Sequence, residues 1–163
     1  MIMSRQSPAD SAPAGNNNMA GKTGATALAF DFGQRRIGVA VGNLGLRLAH
    51  PLATISSTNT DEQFESISRL IREWQPVLLV AGLPLHADGI EHEITRQARR
   101  FARRLEGRFG IKTVLVDERY TSIDASAALR EAGIKGKKQK PLLDQVAAQL
   151  ILQTYFDRDD ATA

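Results

Sequence analysis

The chain has 163 residues, 42% of them hydrophobic and 24% charged, with a net charge of +3 and no cysteine. That length suits one domain with a substantial core, and the absence of thiols excludes disulfides and thiolate zinc sites and fits a cytoplasmic setting. No apolar run approaches the ~20 residues that span a bilayer and the first two dozen residues lack the apolar stretch of a signal peptide, so no membrane partner is expected.

Residues 1–25 are rich in Ser, Pro, Ala, Gly and Asn and are expected to form a disordered tail, with Met19 as an alternative start. Within it, Gly21-Lys22-Thr23 lacks the earlier glycine and the preceding strand that a phosphate-binding loop requires. A folded unit is expected over 26–157, followed by a short tail at 158–163. Residues 28–32 predict a strand, Gly33-Gln34-Arg35-Arg36 a turn and 37–41 a second strand, making a hairpin. A third strand is expected at 51–55. Thr60-Asp61-Glu62-Gln63 has the pattern of a helix start; Phe64, Ile67, Ile71 and Trp74 continue it at helical spacing and Pro76 ends it. Residues 77–81 are continuously apolar, as in a strand covered on both faces. After Gly82-Leu83-Pro84-Leu85 and an Asp88-Gly89 turn, a helix over 91–108 buries Ile94, Ala98, Phe101 and Leu105. Residues 113–116 predict a strand, 121–132 a helical stretch, 133–140 a basic loop, and 141–156 a last helix opened by Pro141. The order β-β-β-α-β-α-β-α makes an α/β fold whose βα units imply parallel strands with right-handed crossovers.

Three acidic positions conflict with this apolar pattern. Asp31 interrupts Leu28-Ala29-Phe30-Asp31-Phe32, Asp117-Glu118 follows Thr113-Val114-Leu115-Val116, and Asp144 lies in the mostly apolar stretch from Leu142 to Leu152. An ionised carboxylate buried without a partner costs several kcal/mol or takes up a proton. Bound divalent cations remove the conflict, so the pattern points to a metal-dependent site acting on phosphate. Each acid also has a plain structural reading. Asp31 can accept turn hydrogen bonds at a strand end, Glu118 can pair with Arg119 or Arg36 on the surface, and Asp144, in a first helical turn, gains ~0.3–1 kcal/mol from the helix dipole. Strand alternation sends Asp117 and Glu118 to opposite faces, so only one of them joins Asp31. The last helix reads as apolar nearly all round and places Asp144 beside Ile151 and Tyr155.

The string Phe30-Asp31-Phe32-Gly33-Gln34-Arg35-Arg36-Ile37-Gly38-Val39-Ala40-Val41-Gly42 resembles the opening motif of the YqgF family. The resemblance continues in Val80-Ala81-Gly82-Leu83-Pro84-Leu85 with Asp88-Gly89 and in Val116-Asp117-Glu118-Arg119-Tyr120-Thr121-Ser122. It closes in Lys140-Pro141-Leu142-Leu143-Asp144-Gln145-Val146-Ala147-Ala148 and covers residues 28–156 in order. Proteins of that family are described as Holliday-junction-resolvase-like nucleases or pre-16S rRNA processing nucleases. The resemblance implies a ribonuclease-H-like fold, with a mixed central sheet flanked by helices, and three catalytic, metal-binding acids at Asp31, Glu118 and Asp144. Resolvase relatives place an acid at the end of the fourth strand, where this chain has Gly82-Leu83-Pro84, so Glu118 would take that role from the neighbouring strand. The expected cofactor is Mg²⁺ or Mn²⁺ in a two-metal arrangement, with Asp31 bridging and Glu118 and Asp144 each completing one shell. The implied activity is phosphodiester hydrolysis in structured nucleic acid, with the 5′ end of pre-16S rRNA as first substrate and branched DNA as second.

Cations are expected to hold the flanking phosphates: Arg35 and Arg36 in the hairpin turn, and Lys135, Lys137, Lys138 and Lys140 in the loop leading to Asp144. Arg96, Arg99, Arg100 and Arg103 form a stripe with only Glu106 nearby, readable as solvated surface or as a backbone contact to nucleic acid. His50, His86 and His92 show no metal-ligand spacing. The expected partner is nucleic acid and the expected state a monomer or weak homodimer. Two other classes stand beside the nuclease. The hairpin from Asp31 to Ala40 also resembles the phosphate-binding hairpin of actin-like ATPases and sugar kinases, which grip ATP between two domains where this chain has room for one. A non-catalytic nucleic-acid-binding factor would keep the acids without cutting.

Overall fold

The computed structural model describes residues 24–85, 90–118 and 139–162. Five strands form one mixed sheet: β1 (Thr26–Phe32), β2 (Arg36–Asn43), β3 (Leu48–Ser56), β4 (Leu78–Leu83) and β5 (Thr113–Asp117), in the order β3-β2-β1-β4-β5. β2 runs antiparallel to both β1 and β3, whereas β1–β4 and β4–β5 are parallel. Helices α1 (Thr60–Trp74), α2 (Glu93–Phe109) and α3 (Gln139–Thr162) cover the sheet, which is the mixed α/β architecture expected.

Alternation along the strands sorts the two faces. Ala27 and Ala29 of β1, with Ala40, Val80 and Val116, pack on Ala148, Ile151, Leu152 and Phe156 of α3. Leu28 and Phe30, with Ile37, Val39 and Leu79, pack on Phe64 and Ile67 of α1 and Phe101 and Leu105 of α2. Every residue of β4 is buried, because a central parallel strand has a helix on each side. Each fully buried Leu, Ile or Phe contributes ~1.5–3 kcal/mol through removal of apolar surface from water.

Helix α3 is not apolar all round. Gln145, Gln149 and Gln153, spaced four apart, donate their Nε2 to Thr54 Oγ1 at 3.1 Å, to the Ala49 carbonyl at 3.0 Å and to the Arg47 carbonyl at 3.2 Å. This amide stripe satisfies polar groups of β3 and its approach that would otherwise be covered unpaired, and it fixes how the helix lies across the sheet.

Several boundaries differ from expectation. β3 begins at Leu48, and β4 extends to Leu83 because its parallel pairing with β5 continues to Asp117. Helix α1 is capped by Asn59, whose side chain accepts from the Glu62 amide at 3.1 Å. Helix α2 begins at Glu93, just after the His92 amide donates to Thr95 Oγ1 at 3.1 Å. Helix α3 begins at Gln139, so Asp144 occupies its second turn, where the dipole argument for a purely structural acid weakens. The same helix runs past Phe156 to Thr162, through residues whose pattern predicts a tail. The expected helical stretch at 121–132, the Asp88-Gly89 turn, His86 and residues 1–23 of the expected tail lie outside the described residues.

Candidate active site

Asp31 is the penultimate residue of β1 and lies on the face of Ala27 and Ala29, toward α3. Its register partner in β2 is Gly38. A Cβ on Gly38 would overlap the backbone carbonyl of Asp144, so the missing side chain lets α3 lie directly on β2 beside Asp31. Glu118 follows β5, and its amide donates to the Leu83 carbonyl at 3.1 Å, prolonging the ladder with β4. Its carboxyl lies over Gly82: a Cβ there would stand 2.9 Å from Glu118 Cδ and 2.5 Å from Ile151 Cδ1. At Gly82, near the end of the fourth strand, β4 presents no side chain and the acid from β5 fills the space.

Glu118 and Asp31 are hydrogen-bonded to each other. Burial, and then the neighbouring Asp31 charge, push the Glu118 carboxyl up to about 9, so at neutral pH Glu118 carries the proton and donates it to Asp31. Burial also pushes Asp31 up to about 6, against the lowering effect of the Glu118 hydrogen bond and helped by the Asp144 charge. The two acids titrate as a unit around one shared proton. Asp117 is exposed, so of the two acids left open by the sequence it is Glu118 that meets Asp31.

Asp144 Oδ2 accepts from Arg36 Nε at 2.6 Å; the Asp144 side chain is 18% exposed and that of Arg36 37%. The charge-assisted bond fixes the carboxylate orientation. Arg36 therefore serves Asp144 and not Glu118, which corrects the surface pairing considered from sequence. Arg36 and Asp144 line a cavity of about 310 Å³ together with Gly33, Gln34, Arg35 and Ile94.

As placed, no three acidic or histidine side chains among the described residues converge to hold a metal ion. A proton joins Asp31 to Glu118, and Arg36 occupies Asp144. The donor set itself fits Mg²⁺ or Mn²⁺, because it consists wholly of carboxylate oxygens, the hard ligands these ions take. A divalent cation also answers the electrostatic problem that the shared proton now answers.

The remaining expected contacts divide. Arg35 is exposed in the hairpin turn. Lys135, Lys137 and Lys138 lie outside the described residues, and the Lys140 backbone belongs to the first turn of α3. The arginine stripe of α2 is not one-signed: Arg99 pairs with Glu91, and Arg96 with Glu93 at 3.1 Å. Sequence reasoning also missed Gly38 and Gly82. The signal available was a glycine in each of two strands that pair beside an acid-bearing strand.

Residues 25–158 match the family model of RuvX, described as Holliday junction resolvase. A Nitrosospira multiformis protein named "Putative pre-16S rRNA nuclease" is 68% identical over 137 residues, covering 84% of this chain and 91% of its own. A Nitrosomonas europaea protein of the same name is 61% identical over 146 residues, covering 90% of this chain and 99% of its own. Among solved structures, T. thermophilus RuvC in complex with a Holliday junction substrate aligns with TM-score 0.50 at 16% identity, over 85% of this chain and 98% of that one. The fowlpox virus resolvase, in complex with Holliday junction DNA, aligns with TM-score 0.52 at 13% identity, over 82% and 97%. At such identities the likeness concerns the fold, which is the ribonuclease-H-like fold expected from sequence.

Proposed function

The chain belongs to the RuvX family, and from that premise we propose that it is a metal-dependent nuclease that cleaves phosphodiester bonds in structured nucleic acid, acting on the 5′ end of pre-16S rRNA in ribosome biogenesis. The observation that carries this reading is the buried, proton-sharing pair Asp31–Glu118 with Asp144 beside it, brought together from the ends of β1 and β5 and the second turn of α3. A fold does not maintain such a cluster for stability, since like charges held out of water oppose one another.

Asp31, Glu118 and Asp144 would hold Mg²⁺ or Mn²⁺, and ions so bound supply an activated water and neutralise charge on the leaving oxygen of an in-line displacement. The chain's own residues prepare that chemistry. Glu118 releases its proton on loading, so the pair presents two negative charges in place of one. Arg36, adjoining Asp144, and the exposed Arg35 offer guanidinium donors to a phosphate entering the cavity they line. Lys135, Lys137, Lys138 and Lys140 precede Asp144 in sequence and would hold the phosphates that flank the cut. The protein would act in the cytoplasm as a monomer or weak homodimer.

The names of the relatives at 68% and 61% identity favour ribosomal precursor RNA. The family description favours a second substrate, branched DNA. Incubation with Mn²⁺, a transcript spanning the 5′ precursor of 16S rRNA and a four-way DNA junction separates the readings. We expect the transcript to be cut by the wild type and not by Asp31→Asn. Cleavage of the junction alone would make the protein a resolvase, and binding of both without cleavage of either would make it a non-catalytic factor.

A further inference from the structure

We propose a second phosphate-binding subsite on the opposite face of the hairpin from the carboxylates, formed by Arg100 and Arg104 of α2, which takes the backbone of the nucleic-acid strand beyond the cleavage point. The proposal rests on the nuclease reading for the identity of its ligand. A cavity of about 270 Å³ lies between the β1–β2 turn and helices α1 and α2. Phe32 and Phe101 line its apolar side, their ring centroids 4.9 Å apart, and Gln34, Gln97, Arg100 and Arg104 line its polar side. The lining includes two guanidinium groups and no carboxylate.

The arginines themselves supply the main argument. Arg96, Arg100, Arg104 and Arg108 recur every four residues along α2 and so form one row. The outer two are engaged: Arg96 pairs with Glu93, and the Arg108 guanidinium lies 4.3 Å from the Phe64 ring centroid. Arg100 and Arg104 are exposed and form no ion pair among the described residues. Like charges at i and i+4 destabilise the helix that bears them, and a phosphate held between the two removes that repulsion. Planar guanidinium forks match phosphate oxygens in geometry as well as in charge.

Gln34 connects this cavity to the carboxylates. Its side chain lines both the Arg100–Arg104 cavity and the Arg36–Asp144 cavity, and its Nε2 donates to Gln97 Oε1 at 3.0 Å. A strand with one phosphate at Asp31 and Asp144 meets the two arginines once it has crossed the β1–β2 turn. The volume falls below the ~300–1,000 Å³ usual for a free small ligand, and it suits one nucleotide unit of a longer chain.

The test is fluorescence-anisotropy binding of single-stranded RNA and DNA of one sequence to the full chain in EDTA, across a salt series. With Arg100→Gln and Arg104→Gln combined, the slope of log affinity against log salt should fall by roughly 1.4–1.8, at ~0.7–0.9 per lost phosphate contact. Arg103→Gln, exposed on the same helix but outside the cavity lining, should leave the slope unchanged. Equal falls with both strands identify the shared phosphate backbone as the ligand, and a fall with RNA alone identifies a ribose-bearing strand. An unchanged slope in the double variant, or an equal fall in Arg103→Gln, overturns the proposal, provided the melting midpoints match wild type. Cleavage is scored separately. A reduced slope in a protein that cuts nothing retains the subsite and removes the nuclease reading, whereas an unchanged slope in a protein that cuts does the reverse.

Discussion

The proton between Asp31 and Glu118 gives the metal-free protein a pH dependence of definite sign. Both carboxyls are held above their ordinary values of ~4, at about 6 and about 9, so between those limits the folded state binds more protons than the unfolded chain. Stability is then greatest below ~4 with respect to these two groups and is lost as pH rises toward 9. Chemical denaturation in EDTA at pH 5, 7 and 9 should show a falling midpoint. In Asp31→Asn the fall should be shallower, since the Asp31 charge and hydrogen bond both help to raise Glu118. The same variant should be at least as stable as wild type at pH 8, because one buried charge is gone, while cleavage drops by orders of magnitude. A variant that unfolds yet keeps its activity per folded molecule would make Asp31 a structural turn residue. That these positions were special was legible from sequence, because an acid inside an apolar run is costly wherever the run is buried. Which acid would touch which was only partly legible: strand alternation separated Asp117 from Glu118, but the Arg36–Asp144 bond joins residues 108 apart in the chain, and no local pattern encodes it.

At the scale of elements, the site depends on how closely α3 lies to β2 and β4, and two glycines set that distance. Gly38→Ala and Gly82→Ala should both destabilise, by about 1–3 kcal/mol as overpacking of a core does, and both should impair cleavage. Gly38→Ala should cost more, since its new methyl meets the Asp144 backbone, whereas at Gly82 it meets the ends of the Ile151 and Glu118 side chains, which can turn aside. Urea midpoints order the two, and equal costs would mean that α3 shifts as a body. A contrasting case is Asn59→Ala, which removes the cap of α1 and should cost ~0.5–2 kcal/mol with cleavage per folded molecule unchanged. The elements themselves were readable because period two and period 3.6 are written directly into β1, β4, α1 and α2. Their ends were less so. The sheet extends β3 and β4 by pairing, and pairing partners are distant in sequence. Helix α3 was misjudged for a related reason: Gln145, Gln149 and Gln153 look like interruptions of an apolar helix until β3 supplies the groups they bond.

For the whole molecule, the three acids lie on segments that are far apart in the chain, so an ion held by them ties β1, β5 and α3 together and stabilises the fold globally. At a metal concentration ~100-fold above Kd the gain is ~2.7 kcal/mol, which for a domain of this size raises Tm by roughly 5–11 °C. Mn²⁺ should give the larger shift, because it tolerates imperfect geometry and binds oxygen and nitrogen sites more tightly than Mg²⁺. Loading must displace the proton on Glu118, so the shift should grow as pH rises from 6 to 8, opposite in direction to the stability of the metal-free protein. Thermal unfolding of wild type and Asp31→Asn with millimolar Mg²⁺ or Mn²⁺ at both pH values tests every part of this. Equal shifts in the two proteins would mean that the ions act elsewhere. An increase absent at both pH values would mean that the cluster does not hold a metal at these concentrations. Growth of the shift with pH in wild type, lost in Asp31→Asn, is the pattern that a proton-gated carboxylate site requires, since only there do proton and metal compete for the same oxygens.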